Sequence, residues 1–86
     1  MRDLRQTIEF KEFLENSDIN VKKKIEYIFE ILGNQHVINS KIAKKLTNTF
    51  LYEIRIQVNN EYRILCFTID HDSITQCTKI LFLSAF

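Results

Sequence analysis

The spacing of the apolar residues changes once along this chain of 86 residues, and that change constrains the fold more than any other feature. In the first half, apolar side chains recur every three or four positions, at Val21, Ile25, Ile28, Phe29 and Leu32. This spacing places them on one face of a helix. From residue 50 onward, apolar side chains instead alternate with polar ones, which is the period of a strand with one buried face. Helices followed by strands predict an α+β domain.

Two helices are predicted in the first half. Residues 7–15 have helical spacing, and Thr7 is placed to cap the first turn. A short polar break follows. The second helix is expected to begin with Asp18 or Asn20 as its cap and to end at Gly33, where a left-handed residue would close it. We therefore expect two antiparallel helices joined by a tight turn.

Three strands are predicted in the second half, at residues 50–58, 62–69 and 74–86. For residues 34–49 two interpretations remain, a short helical turn capped by Ser40 or an irregular crossover. The end of the last strand is apolar on both faces, so we expect it to lie centrally or to be covered. The predicted fold is an N-terminal helical hairpin packed on an antiparallel β-meander, and the chain length allows one domain.

Composition favours a packed globule, because 45% of the residues are hydrophobic and the chain has one Gly and no Pro. The start of the chain has no apolar run of the length that a signal peptide requires, and no stretch reaches the length of a membrane span. We therefore expect a cytoplasmic protein with no membrane partner. The net charge of +1 neither demands nor excludes a nucleic-acid partner.

The two cysteines do not form a disulfide framework, and thiols in the cytoplasm are expected to be reduced. A hairpin centred on residues 71–72 would place Cys66 across from Cys77, where a disulfide is geometrically possible. Two small, half-buried side chains are the preferred interpretation. The only nearby imidazole, His71, lies too far along the chain from either thiol to complete a zinc site. No metal or cofactor is predicted.

A further pattern begins at Lys44. The segments KKL at 44–46, LYEIR at 51–55 and YRI at 62–64, followed by a hydrophobic strand ending at Phe86, resemble the RelE/ParE superfamily of toxins. Within it, they are most similar to the HigB-type, phage-derived branch. The resemblance covers nearly the whole chain and implies a RelE-like fold and a type II toxin–antitoxin module. It also implies ribosome-dependent cleavage of mRNA and a helix-turn-helix antitoxin as the partner.

The chain departs from this family at two places. Members usually continue past the position of Phe86 with a lysine pair and a C-terminal helix, so the expected fold lacks that tail. Glu53 stands where the wider family often has lysine. These departures motivate an alternative function, a non-catalytic binding module with a toxin fold. Such a module would bind an antitoxin or, like ParE, inhibit DNA gyrase.

Cleavage of RNA by its own 2′-hydroxyl needs groups that stabilise a charged phosphorane. Arg55 and Arg63 are the catalytic candidates, because a guanidinium group binds phosphate through two parallel hydrogen bonds. Lys44 and Lys45 are expected to contact the RNA backbone, with a solvated basic turn as the alternative. Tyr62 could stack on a base, although its period-two placement favours core packing.

The hairpin register decides whether the two arginines share a face. A two-residue loop at 59–60 pairs Ile56 with Arg63 and puts the arginines on opposite faces. A three-residue loop at 59–61 pairs Ile56 with Ile64 and sets the arginines diagonally on one face, about 7–8 Å apart. We prefer the second register because it keeps the apolar side chains together.

Two carboxylates compete with RNA for these arginines. Glu53 lies two residues before Arg55 on the same strand face, and Glu61 lies at the turn near Arg63. Surface pairing with these carboxylates is the alternative to RNA contact. His71 is predicted to be a solvated turn residue, so the sequence provides no clear general base.

Overall fold

The computed structural model describes residues 1–86 as two helices packed on one face of a five-stranded sheet. The elements are β1 (Asp3–Gln6), α1 (Ile8–Asn16), α2 (Ile19–Asn34), β2 (Lys44–Lys45), β3 (Leu51–Val58), β4 (Asn60–Thr68) and β5 (Lys79–Ala85). The strand order is β1-β5-β4-β3-β2, and all neighbours are antiparallel except β1 and β5. The predicted α+β architecture is therefore confirmed. Neither helix combines the length and apolar character needed to cross a bilayer.

Both predicted helix caps are present. The Thr7 hydroxyl accepts a hydrogen bond from the Phe10 N–H at the start of α1. The Asp18 carboxylate accepts one from the Asn20 N–H at the start of α2. Each side chain satisfies an N–H that has no partner within its helix.

The predicted end of α2 at Gly33 is wrong. The helix continues to Asn34, and its last turn is closed by the Gln35 N–H, which donates to the Ile31 carbonyl. Gly33 is buried and has no positive φ. Its carbonyl accepts a hydrogen bond of 2.9 Å from the Arg2 N–H. Gly33 therefore contacts the N-terminal segment and does not form a left-handed turn.

Strand β1 was not predicted. It pairs in parallel with β5, so that Asp3 lies opposite Lys79 and Leu4 lies opposite Ile80. This pairing places β5 between two neighbours. The expectation that the last strand lies centrally is therefore confirmed, and the meander is extended into a mixed sheet.

Both predicted registers for the β3–β4 hairpin are wrong. The strands pair symmetrically about Asn59, so that Ile56 lies opposite Tyr62 and Arg55 lies opposite Arg63. Asn59 has a φ of 65°, a left-handed conformation that asparagine tolerates better than most residues, and this permits the tight turn. The register differs by two residues from the preferred one, so the predicted strand faces are preserved.

The last strand begins at Lys79 and not at residue 74, because residues 70–78 form a turn. The Asp70 carboxylate accepts hydrogen bonds from the N–H groups of Thr78 and Lys79. Within the turn, the Cys77 N–H donates to the Ser73 carbonyl. These bonds satisfy the backbone groups that a longer strand would have paired.

The predicted pairing of the cysteines across a hairpin is consequently wrong. Cys66 lies opposite Phe82, and Cys77 lies in the turn before β5. Both thiols are free, as expected, and both are fully rather than half buried. Burial, assisted by the neighbouring Cys77, raises the pKa of the Cys66 thiol to about 12.

The core lies between the helices and the covered face of the sheet. Its centre is an aromatic cluster in which the Phe82 ring lies 5.4 Å from Phe10 and 4.7 Å from Phe29, between centroids. Phe50 was predicted to begin the strand at residues 50–58, but it precedes β3 and is 66% exposed.

The segment between α2 and β3 contains a turn followed by the two-residue strand β2. The turn is initiated by Asn39 and not by Ser40. The Asn39 side chain accepts a hydrogen bond from the Lys41 N–H, and its carbonyl accepts one from the Ile42 N–H.

Candidate functional site

The helices cover one face of the sheet and leave the other open. Alternation along β3 and β4 buries the even-numbered side chains under the helices and turns the odd-numbered ones to the open face. The open face has a charged end and an apolar end. The charged end carries Lys44, Glu53, Arg55, Glu61 and Arg63, and the apolar end carries Leu51, Leu65 and Phe67.

Arg55 and Arg63 lie directly opposite one another at the charged end. Opposed residues in an antiparallel pair have Cβ atoms about 4.5–5.5 Å apart, so the two guanidinium groups can reach one ligand. Their side chains are 61% and 45% exposed. The structure therefore brings the two predicted catalytic residues closer together than the diagonal arrangement expected from the sequence.

Each arginine contacts a carboxylate on its own strand. Arg55 Nε lies 2.6 Å from Glu53 Oε1, and Arg63 Nε lies 3.4 Å from Glu61 Oε1. The surface pairing foreseen as the alternative is therefore present. Both hydrogen bonds are donated by Nε, and the terminal nitrogens of both arginines have no protein acceptor. Exposed ion pairs of this kind add little stability and can be displaced by a better anion.

Glu53 is the centre of the charged end. Its side chain is only 11% exposed. The hydrogen bond from Arg55 lowers the pKa of this carboxyl, burial opposes the shift, and the positive charges of Arg55, Arg63 and Lys44 lower the pKa further. The same bond raises the pKa of Arg55. The carboxylate is therefore ionised at neutral pH and partly neutralises the basic groups around it.

Lys44 lies opposite Glu53 and so joins the charged end. A cavity of about 280 Å³ opens beside it, lined by Ser40, Lys41, Ile42, Lys44, Glu53 and Arg55. Lys41 was not predicted to belong to the site, and Glu53 was predicted as a departure from the family and a competitor for the arginines rather than as part of the site. The alternation within LYEIR already placed Glu53 on the face of Arg55 and was the available signal.

The other predicted RNA-contacting residues lie elsewhere. Lys45 is exposed and lies opposite Tyr52, on the helix side of the sheet. Tyr62 is half-buried on the helix side and packs edge-on against Phe13, with ring centroids 5.9 Å apart. The structure therefore groups Lys44 with the two arginines and separates Lys45 and Tyr62 from them.

His71 lies on an exposed turn, as predicted. Its Nδ1 accepts a hydrogen bond of 2.9 Å from the Ser73 N–H. No group of three or more His, Cys, Asp or Glu side chains comes together in a way that could hold a metal ion.

Comparison with known proteins identifies similarity at the level of structure. No family model matches the chain, and no curated protein matches its sequence. A chain in the crystal structure of the intact E. coli RelBE toxin–antitoxin complex superposes with a TM-score of 0.69 at 16% identity. The superposition covers 99% of this chain and 94% of that one.

A second similar structure is the RelB–RelE antitoxin–toxin complex from Methanococcus jannaschii. The TM-score is 0.67 at 24% identity, with 95% of this chain and 87% of that chain covered. At such low identity the similarity establishes the fold. The two N-terminal helices on a mostly antiparallel five-stranded sheet give this chain the RelE-like α+β fold.

Proposed function

We propose that this chain is the toxin of a type II toxin–antitoxin module and that it cleaves mRNA on the ribosome. The observation that carries the proposal is the pair Arg55 and Arg63, directly opposed on the open face beside Lys44. The RelE-like fold supports it, because both similar structures are toxin–antitoxin complexes. A helix-turn-helix antitoxin and a cytoplasmic location belong to the same proposal. The assignment to the HigB-type, phage-derived branch rests on the sequence pattern.

The proposed chemistry uses the free nitrogens of the two arginines. A phosphorane carries more negative charge than the phosphodiester from which it forms, so two guanidinium groups aimed at it stabilise the transition state preferentially. Lys44 adds a third positive charge and positions the RNA backbone. The substrate phosphate would compete with Glu53 and Glu61 for the arginines, and two opposed arginines favour the ligand that both can bind.

A second candidate function is supported by the same ion pairs. Both arginines already contact carboxylates, which suits a non-catalytic module that keeps the toxin fold and binds another protein. An antitoxin, or DNA gyrase in a ParE-like role, would then be the target. Gyrase inhibition would produce DNA-damage signalling, whereas mRNA cleavage would halt translation.

The test is primer extension on a reporter mRNA translated in vitro, with the chain added and ribosomes present or absent. We expect cleavage only with ribosomes. The variant Arg63→Ala should reduce the cleavage rate at least about 100-fold, the usual loss when one group that stabilises developing negative charge is removed.

The matched control is Arg5→Ala. Arg5 is also a half-exposed strand arginine held through Nε, with Asp3 Oδ2 at 3.0 Å, but it lies on β1. The Arg5→Ala variant should cleave the mRNA at the wild-type rate. Full cleavage by folded Arg63→Ala would refute the site. Absence of cleavage by the folded wild type, together with gyrase inhibition, would establish the binding module.

A further inference from the structure

A cleft of about 360 Å³ lies at the end of the sheet where β3 begins and β4 ends, and Phe67 joins it to the apolar end of the open face. It is lined by Phe50, Phe67, Thr68, Ile69, Asp70, His71 and Asp72. None of its residues belongs to the arginine site.

The apolar wall of the cleft includes an aromatic ring that the fold does not bury. Phe50 is 66% exposed and Ile69 is 39% exposed. An exposed phenylalanine beside a concave surface offers a flat platform on which a planar group can stack.

The polar wall offers one donor and one acceptor. His71 Nδ1 accepts a hydrogen bond from the Ser73 N–H, so in the neutral ring the proton lies on Nε2, which is free to donate. The Asp70 carboxylate is already bonded to Thr78 and Lys79. Asp72 is exposed and its carboxylate forms no ion pair, so it is the acceptor that remains.

The loop that carries these groups is held in place. The Tyr52 hydroxyl donates to the Asp72 carbonyl at 3.0 Å and accepts from the Ile74 N–H at 3.1 Å. The Asp70 carboxylate fixes the other end of the loop to Thr78. A cleft fixed at both ends loses little conformational entropy when a ligand binds.

The cleft reaches the open face through Phe67, which shares that face with the arginines. Phe67 lies four residues from Arg63 along β4, or about 13 Å at roughly 3.3 Å per residue. Leu65 lies between them on the same face. The charged end attracts phosphate, whereas the carboxylates of Asp70 and Asp72 repel it from the cleft. An extended RNA strand matches this distribution of charge if its phosphates lie at the arginines and one base enters the cleft.

We infer that the cleft binds a nucleobase of the RNA substrate, stacked on Phe50. This inference rests on the proposed function and adds a subsite to it. The base that fits carries an amino group beside a ring-nitrogen acceptor, as in cytosine or adenine. The amino group donates to Asp72, and the ring nitrogen accepts from His71 Nε2. Uracil presents a carbonyl oxygen where these bases present the amino group, so the cleft selects against it.

The test is fluorescence anisotropy with 5′-labelled tetracytidylate and tetrauridylate, two probes with bases of one ring size. We expect the cytidine probe to bind wild type about tenfold more tightly. Phe50→Ala should weaken the binding of both probes about tenfold, the usual effect of losing one stacked base. Asp72→Ala should weaken the binding of the cytidine probe only, so that the preference for cytidine over uridine is lost. Tyr27→Ala, which removes an exposed aromatic from α2, and Asp3→Ala should change neither.

The outcomes separate the subsite from the function. If Arg63→Ala abolishes binding but Phe50→Ala and Asp72→Ala bind both probes like the wild type, the subsite is refuted and RNA binding stands. If neither probe binds to folded wild type, the subsite is refuted, and the ribosome-dependent cleavage assay decides the proposed function separately. If acetyl-arginine amide binds in the cleft and cytidine does not, the cleft belongs to a protein partner and the inference fails.

Discussion

Replacing Arg2 by alanine removes the side chain that ties the N-terminal segment to the end of α2. Arg2 is only 8% exposed. Its Nη1 donates to the carbonyls of Leu32 and Gln35 at 2.9 and 2.5 Å. Its Nη2 donates to those of His36 and Thr75 at 2.8 and 2.6 Å. The guanidinium group thus satisfies carbonyls at the helix end and joins them to the turn before β5.

The magnitude of the effect follows from these four bonds. A typical intramolecular hydrogen bond contributes a net stability of about 0.5–1.5 kcal/mol. The last turn of α2 itself contains no basic residue that could replace the charge of Arg2. Four such bonds sum to about 2–6 kcal/mol, and we expect Arg2→Ala to lower the free energy of unfolding by the middle of that range, about 3–4 kcal/mol. For a domain of this size, that corresponds to a fall in Tm of roughly 12–30 °C.

The assay is urea and thermal unfolding followed by circular dichroism. Arg2→Lys should be intermediate, because an ammonium group keeps the charge but cannot span four carbonyls with a planar fork. Arg5→Ala, at an exposed pair, is the control and should change stability by less than about 0.5 kcal/mol. A loss below about 1 kcal/mol for Arg2→Ala would refute the reasoning.

Three further predictions concern the core and the β4–β5 turn. Phe82→Ala should lower the free energy of unfolding by about 3–5 kcal/mol in urea titrations, whereas Phe86→Ala, at a 64% exposed ring, should have little effect. Hydrogen bonds from Thr78 lower the pKa of Asp70 to about 2, below its ordinary value of 3.8. The stabilisation is therefore present above pH 4 and lost as pH falls through 2, and the Tm values of wild type and Asp70→Asn should converge there. The thiol of Cys66, with a pKa of about 12, should react with a disulfide reagent only when urea unfolds the chain; rapid labelling of the folded protein would contradict its burial.

The sequence predicted the elements whose determinants are local. The caps at Thr7 and Asp18 act on N–H groups two or three residues away, and the apolar stripe of α2 needs no distant partner. Strand β1 could not be predicted in this way, because its partner begins at Lys79 and its own four residues are half exposed. Only the three-dimensional contact with β5 makes that segment a strand.

The strand faces that carry the candidate site were predictable, but the pairing register of β3 and β4 was not. The preference for keeping the apolar side chains of both strands together placed Arg55 and Arg63 on one polar face. Their direct opposition depends on the left-handed conformation of Asn59, and a shift of two residues leaves every side chain on the same face, so the pattern could not decide. A turn was predicted at residues 70–73, but its extension to residue 78 was missed because the Asp70 carboxylate binds backbone N–H groups eight and nine residues away.

The arginine pair itself departs from what the stability of a sheet favours. Like charges directly opposite one another destabilise an antiparallel pair. A slip by one residue would separate them, but it would also turn either Ile54 or Ile64, both fully buried, to the open face, so the hydrophobic pattern holds the register. Glu53 and Glu61 reduce the repulsion through Nε and leave the terminal nitrogens free. Charges of opposite sign across the strands would serve stability better, so the opposed arginines support the proposal that both bind one anion.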